Sequence, residues 1–300
     1  MSRNPLIAPS APESALGTAS RPSNALIITC SPVGAEVMKK DNPAVPYTPA
    51  EIAREAIAAV QAGASIVHLH AREEDGSPSQ RTALFAEAIR LIRQEVDVII
   101  QISTGGAVTA TPDERLQPVR ELDPAPEMAS LTLGTVNFGN DVFWNPPDLI
   151  ETFAKEFQER GIKPELEIFE AGMMTTAQRL VKKGLLTGPL HLDFVLGVPG
   201  AMAGTPSNLM YLVSQLPQDA TWTVAGIGAA ELKLGAMAIA LGGHVRVGFE
   251  DNVFYRKGEP ATGNAQLVAR IARLAAELDR PVATAEEARA LLKMPQRSLA

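Results

Sequence analysis

Cysteine is nearly absent: the 300 residues include one, Cys30. No disulfide can form within the chain, which fits a reducing cytoplasm. No apolar run reaches the length of a membrane span. The opening stretch, MSRNPLIAPSAPESALGTASRPSNA, lacks the continuous apolar core of a signal peptide. It is rich in Pro, Ser and Ala, so residues 1–24 read as a loose arm, flexible or packed on a neighbouring subunit. Positive charge is also in short supply. A formal net charge of −7 argues against nucleic acid or an anionic membrane as the main partner, while leaving room for a local basic pocket. There is no P-loop, no internal repeat and no long linker. Hydrophobic residues at 46% against 20% charged supply a sizeable core, and residues 25–300 read as one domain.

Beyond the arm two textures alternate. Short β-branched runs such as ALIITCS (25–31), SIVHLHA (65–71) and DVIIQIST (97–104) read as strands. Longer amphipathic runs follow them. TPAEIAREAIAAVQAGA places Thr48 at an N-cap, Pro49 at the first helical position and Glu51 at the capping-box position. The fourth strand is expected over EMASLTLGTVNF (127–138), and later strands over KPELEIFE, LHLDFVLG, ATWTVAGI and HVRVGFED. Eight strand–helix pairs predict an α/β fold, the (β/α)8 TIM barrel. A doubly wound open sheet is the rival, but eight even units leave no switch point for it.

In such a barrel the chemistry sits at the C-terminal strand ends. His68 and His70, two of only four histidines, lie at i and i+2 there and project from one face. Two imidazoles on one face can both reach a zinc ion, which needs a third protein ligand and an open position. Glu250, past the eighth strand, is the best-placed carboxylate. The competing reading is two unrelated histidines satisfied by their neighbours. His191 and His244 begin strands and read as packing or capping groups, and Cys30 as a small buried apolar residue.

Other strand ends add polar groups. STGGA offers Ser103, Thr104, Gly105 and Gly106, whose hydroxyls and backbone N–H groups could hold a carboxylate or form a plain turn. If Glu250 binds the ion, Asp251 is free for proton transfer, and Arg246 could hold it and keep its pKa low or steady a carboxylate; the competing reading is a solvated acidic loop joined by a surface ion pair. Glu165 and Glu167 share a face of the fifth strand. They could bind a cationic substrate group, or pair with Lys163 or Arg246.

Together PVGAE, VHLHAR, QISTGGA, EMASLTLGTVNFG, KPELEIFEAG, VLGVPGAMAG and VRVGFEDN resemble the β-keto acid cleavage enzyme family. The resemblance runs from about Leu26 to the last helix. It implies a zinc-dependent barrel, usually a homotetramer, that takes a β-keto acid and acetyl-CoA and gives acetoacetate and a new acyl-CoA. Carried over by motif, the zinc ligands are His68, His70 and Glu250, and Asp251 is the acid/base with Arg246 as its partner. Glu36, the glutamate of PVGAE, joins Asp251 and Arg246 among the expected catalytic residues. Ser103, Thr104, Gly105, Gly106, Ser130 and Glu167 fall to substrate binding. Two other functions fit the residues alone: a CoA-independent metal aldolase or decarboxylase, and a non-catalytic metal- or ligand-binding barrel.

Overall fold

The computed structural model describes residues 24–294. The expected arm, Asn24 apart, lies outside them. Eight parallel strands close into a barrel: β1 (Ile28–Cys30), β2 (Ile66–Leu69), β3 (Ile99–Ile102), β4 (Met128–Thr132), β5 (Lys163–Ile168), β6 (His191–Leu196), β7 (Thr221–Gly226) and β8 (His244–Val247). β8 pairs with β1, and β1 with β2. Helices follow each strand: α1 (Pro49–Gln61), α2 (Thr82–Glu95), α3 (Pro112–Glu121), α4 (Pro147–Glu159), α5 (Met173–Lys182), α6 (Pro206–Ser214), α7 (Glu231–Leu241) and α8 (Asn264–Glu277), with α9 (Ala285–Leu291) last. The (β/α)8 expectation and its strand order hold.

Local sequence explains the helix starts. Thr48 with Glu51, and Thr111 with Glu114, form complete capping boxes with Pro at the first position. Thr284 and Glu287 form a capping box at α9 without the proline. Their outer faces stay polar while residues such as Ile52, Ala56 and Ala59 of α1 pack on the sheet. None of these helices is long and apolar enough to cross a membrane.

Three two-stranded hairpins decorate the C-terminal rim: 71–72 with 78–79, 136–138 with 141–143, and 254–256 with 259–260. The second corrects the expected fourth strand. That run is split, because barrel pairing ends as Leu133 N–H donates to Glu167 O, and the chain then turns out into the hairpin from Val136.

The barrel interior is layered. At its base Ile27, Ile66, Ile99 and Met128 form an apolar plug with Ala283, Ala288 and Leu292. Beyond it every strand turns a polar side chain inward: Thr29, His68, Gln101, Ser130, Glu165, Asp193, Thr223 and Arg246, all buried. Branched aliphatic residues usually fill these inward positions of a barrel. Here polar ones support a site.

Candidate active site

β2 carries His68, and His70 follows at its end. β8 is the next strand but one around the barrel, and the chain beyond it swings Glu250 over the intervening β1. The backbone of the loop after β1 makes room for this. A Cβ added at Gly34 would lie 2.4 Å from Glu250 Cγ, so only glycine admits that carboxylate. Buried Arg72 fixes Gly34 in turn: its Nε donates to Gly34 O at 2.8 Å, and its Nη1 to Gly76 O at 2.7 Å.

One ligand atom each from His68, His70 and Glu250 lie within 4.8 Å of one another, a group able to hold a metal ion. His68 Nε2 is 3.7 Å from Glu250 Oε2, and His70 Nε2 is 3.5 Å from Glu250 Oε1. Glu250 Oε2 is buried with no hydrogen-bond partner among the described residues. His68 Nδ1 lies 2.6 Å from Gln101 Oε1. A carbonyl oxygen only accepts, so Nδ1 carries the proton and Nε2 turns a lone pair toward the carboxylate. Burial lowers the His68 pKa from 6.5 to about 4, which keeps the ring neutral, as a metal ligand must be. Burial would raise the Glu250 carboxyl, but Arg246 and the two histidines outweigh it and hold it well below the usual range.

Asp251 sits beside this group. Arg246 donates from Nε to Asp251 Oδ2 and from Nη2 to Asp251 Oδ1, both at 2.9 Å. Ser31 Oγ donates to Asp251 Oδ2 at 3.2 Å. This bidentate fork sets the direction of the carboxylate. The same Arg246 Nη2 also donates to Glu250, so one guanidinium orients both acids. The expectation that Arg246 keeps the Asp251 pKa low is overturned. Burial is the larger effect and, with Glu250 adding to it, raises Asp251 from 3.8 to about 6 despite Arg246 and Ser31.

The STGG segment folds against β4. Thr104 N–H donates to Ser130 Oγ at 3.2 Å, and Thr104 Oγ1 to Ser130 O at 2.7 Å. Gly105 N–H donates to Ser103 Oγ at 3.1 Å. Arg115 of α3 anchors the loop through Nε to Thr104 O at 2.6 Å, and its guanidinium stacks on Phe143 and Phe153. Ser130 thus holds the loop.

Glu167 accepts from Thr132 Oγ1 at 2.5 Å and lies 3.8 Å from Arg246 Nη1. Burial raises its pKa to about 7. Glu165 departs from both options read in the sequence. It is fully buried, 3.2 Å from His191 Nε2, while Lys163 donates to Pro189 O. Strand alternation alone put both glutamates on one inward face, but depth separates them. His244 accepts from Ile27 N–H at 3.1 Å, and Cys30 is buried among apolar neighbours. Glu36 is exposed on the loop after β1 and makes no ion pair among the described residues.

Sequence reasoning missed Gln101, Ser31, Gly34 and Asp193. Gln101 stood in the quoted QISTGGA string, two positions before Ser103, and alternation alone would have turned it inward beside His68. Nothing local marked Asp193. Its carboxylate is fully buried, 3.6 Å from Arg246 Nη1.

A family model described as "beta-keto acid cleavage enzyme" matches residues 25–294. The chain belongs to the beta-keto acid cleavage enzyme family. Two curated relatives are named 3-keto-5-aminohexanoate cleavage enzyme. The protein from Fusobacterium nucleatum is 52% identical over 90% of this chain and 98% of its own. That from Acetoanaerobium sticklandii is 50% identical over 89% and 97%. A 3-oxoadipate:acetyl-CoA acetyltransferase from Cupriavidus necator is 42% identical over 90% and 95%. Among solved structures, apo ObcA superposes with a TM-score of 0.73 at 21% identity, covering 84% of this chain and 66% of that one. That likeness concerns the fold. As a beta-keto acid cleavage enzyme family member with such relatives, the chain is an enzyme.

Proposed function

We propose that this enzyme condenses a β-keto acid with acetyl-CoA and releases acetoacetate and a new acyl-CoA, using zinc held by His68, His70 and Glu250. The observation that carries the reading is the convergence of those three ligands beside a carboxylate, Asp251, gripped by Arg246. The donor set fits zinc: two imidazoles, one with its far nitrogen tied to Gln101, and a carboxylate with an unpartnered buried oxygen. Bound there, the ion would polarise the keto group of the substrate and make the adjacent C–H more acidic.

This chain's residues do the rest. Asp251 takes a proton from the carbon between the two carbonyls, and Arg246 keeps its oxygens aimed. That carbon attacks the thioester carbon of acetyl-CoA and CoA leaves as thiolate. The thiolate adds to the original keto carbon. The bond between this carbon and the attacking carbon breaks, and Asp251 returns its proton to the released acetoacetate. Ser103 and Gly106 N–H hold the substrate carboxylate. Asp251 favours this reading over a non-catalytic barrel, because binding alone needs no oriented base.

The curated names favour an amine-bearing keto acid, as in 3-keto-5-aminohexanoate. Exposed Glu36 on the rim is the carboxylate we assign to such a group, with Glu167 deeper in the site. The same reading carries a cytoplasmic location and a homotetramer, and light scattering tests the second.

The deciding assay incubates acetyl-CoA with 3-keto-5-aminohexanoate, 3-oxoadipate and simple β-keto acids, with and without a chelator. Acetoacetate formation that stops on chelation is expected. Keto acid consumption without acetyl-CoA would instead favour the CoA-independent aldolase or decarboxylase.

A further inference from the structure

Glu250 and Asp251 lie in one tight turn after β8, from Gly248 to Asn252. Asp251 N–H and Asn252 N–H close the turn by donating to Gly248 O at 3.0 and 2.9 Å. Gly248 has φ +152°, and an added Cβ there would collide with Ser31 O, so the turn packs directly on the backbone after β1. A closed turn can still pivot as a unit. Two side chains from other elements oppose that. Asn264, at the start of α8, accepts from Phe249 N–H at 2.9 Å and donates to Pro32 O at 3.2 Å. Glu231, at the start of α7, holds the turn at both ends. Its Oε1 accepts from Gly248 N–H at 3.3 Å and its Oε2 from Asn252 Nδ2 at 2.6 Å. Just before it, Gly228 N–H donates to Asp251 O at 2.8 Å.

Glu231 is 4% exposed. The end of β7 explains how it comes to lie there. A Cβ added at Gly226 would be 2.8 Å from Glu231 Cα, so glycine lets α7 start hard against its own strand, beneath the turn. Burying a carboxyl is costly unless its oxygens are hydrogen-bonded, and here both serve the same turn. An acid also favours a helix N-terminus, which is the competing account. Yet the two oxygens go to Gly248 and Asn252.

Resting on the reading of function above, we infer that Glu231 is a positioning residue. It pins the 248–252 turn at both ends, and so keeps Glu250 on the two histidines and Asp251 on Arg246. It acts through the backbone of the turn.

The test uses the full chain as wild type, Glu231→Gln and the double variant Glu231→Gln with Asn252→Asp. Glutamine keeps the volume, but an amide nitrogen accepts nothing, so one of the two hydrogen bonds must go. In the double variant the 231–252 hydrogen bond forms again with donor and acceptor exchanged. Hydrogen exchange of the 248–252 amides in metal-free protein reads the clamp itself. In Glu231→Gln it should be about tenfold faster. Zinc affinity, by chelator competition, and kcat at saturating zinc should each fall about tenfold. The KM for acetyl-CoA should stay within about twofold, and the double variant should regain most of each loss. Glu231→Asp keeps both acceptors on a shorter arm, should give the same pattern, and decides the question if Glu231→Gln does not fold. Wild-type zinc affinity and kcat beside a lowered melting temperature would make Glu231 a stabilising residue only and overturn the inference. So would unchanged exchange, or a double variant no better than Glu231→Gln. Wild-type protein that binds no zinc sinks the reading of function instead, and the exchange measurement does not depend on it.

Discussion

Gln101 Oε1 accepts the Nδ1 proton of His68 at 2.6 Å, across the pairing of β2 with β3. This contact aims His68 Nε2 at Glu250 and fixes the ring tautomer. Removing the acceptor leaves a buried N–H unpaired and frees the ring to turn. Gln101→Leu should weaken zinc binding about 10- to 100-fold, the usual effect of losing an outer partner of a metal-bound histidine. Competition with a chromophoric chelator measures it, and unchanged affinity would show that the ring is held by packing alone.

Glu250 is the ligand that the chain must bring furthest. Glu250→Gln keeps the volume but removes the charge that balances a dication. The purified variant should carry well under half the zinc of the wild type by elemental analysis, with an unchanged circular dichroism spectrum. Full zinc occupancy would assign the ion to other groups.

Asp251 carries the proton in the proposed reaction. Asp251→Asn keeps the shape and the contact with Arg246 Nε and should lower kcat about 10²- to 10⁴-fold, the range of a lost general base. Zinc content should remain, because Asp251 is not among the three ligands. A variant with normal turnover would end its role as the base.

Glu231, at the start of α7, is buried beneath the loop that carries Glu250. Its Oε1 accepts from Gly248 N–H at 3.3 Å and its Oε2 from Asn252 Nδ2 at 2.6 Å. Burial raises its carboxyl from 4.5 to about 8. Between those values the folded protein holds a proton that the unfolded chain releases. Its stability contribution is therefore full below pH 4.5 and is lost as pH rises toward 8. The slope is at most about 1.4 kcal/mol per pH unit. Glu231→Gln should flatten the decline in urea-unfolding stability between pH 5.5 and 8. A parallel decline in both proteins would show that the carboxyl ionises freely in the fold.

Much of this was legible from local pattern. Alternation turned His68 and His70 to one side, and capping signals at Thr48 and Thr111 opened helices that the structure contains. The fourth strand ran too long on paper because LTLGTVNF stays β-prone where the chain leaves the barrel for a hairpin. Gln101 could have been found by extending the alternation argument one strand further.

What the residue order determined by itself is what depends on neighbours along the chain: the strand–helix alternation, the helix starts, and the adjacency of Glu250 to Asp251. Only the closed barrel decided which distant groups meet. Glu250 reaches His68 because β8, β1 and β2 are consecutive around the barrel and Gly34 leaves a gap above β1. Glu165 is consigned to His191 and Glu167 to the site because depth inside a barrel is not written in a period of two. The raised pKa of Asp251 belongs to the same class, since loss of water is a property of enclosure and no short string carries it.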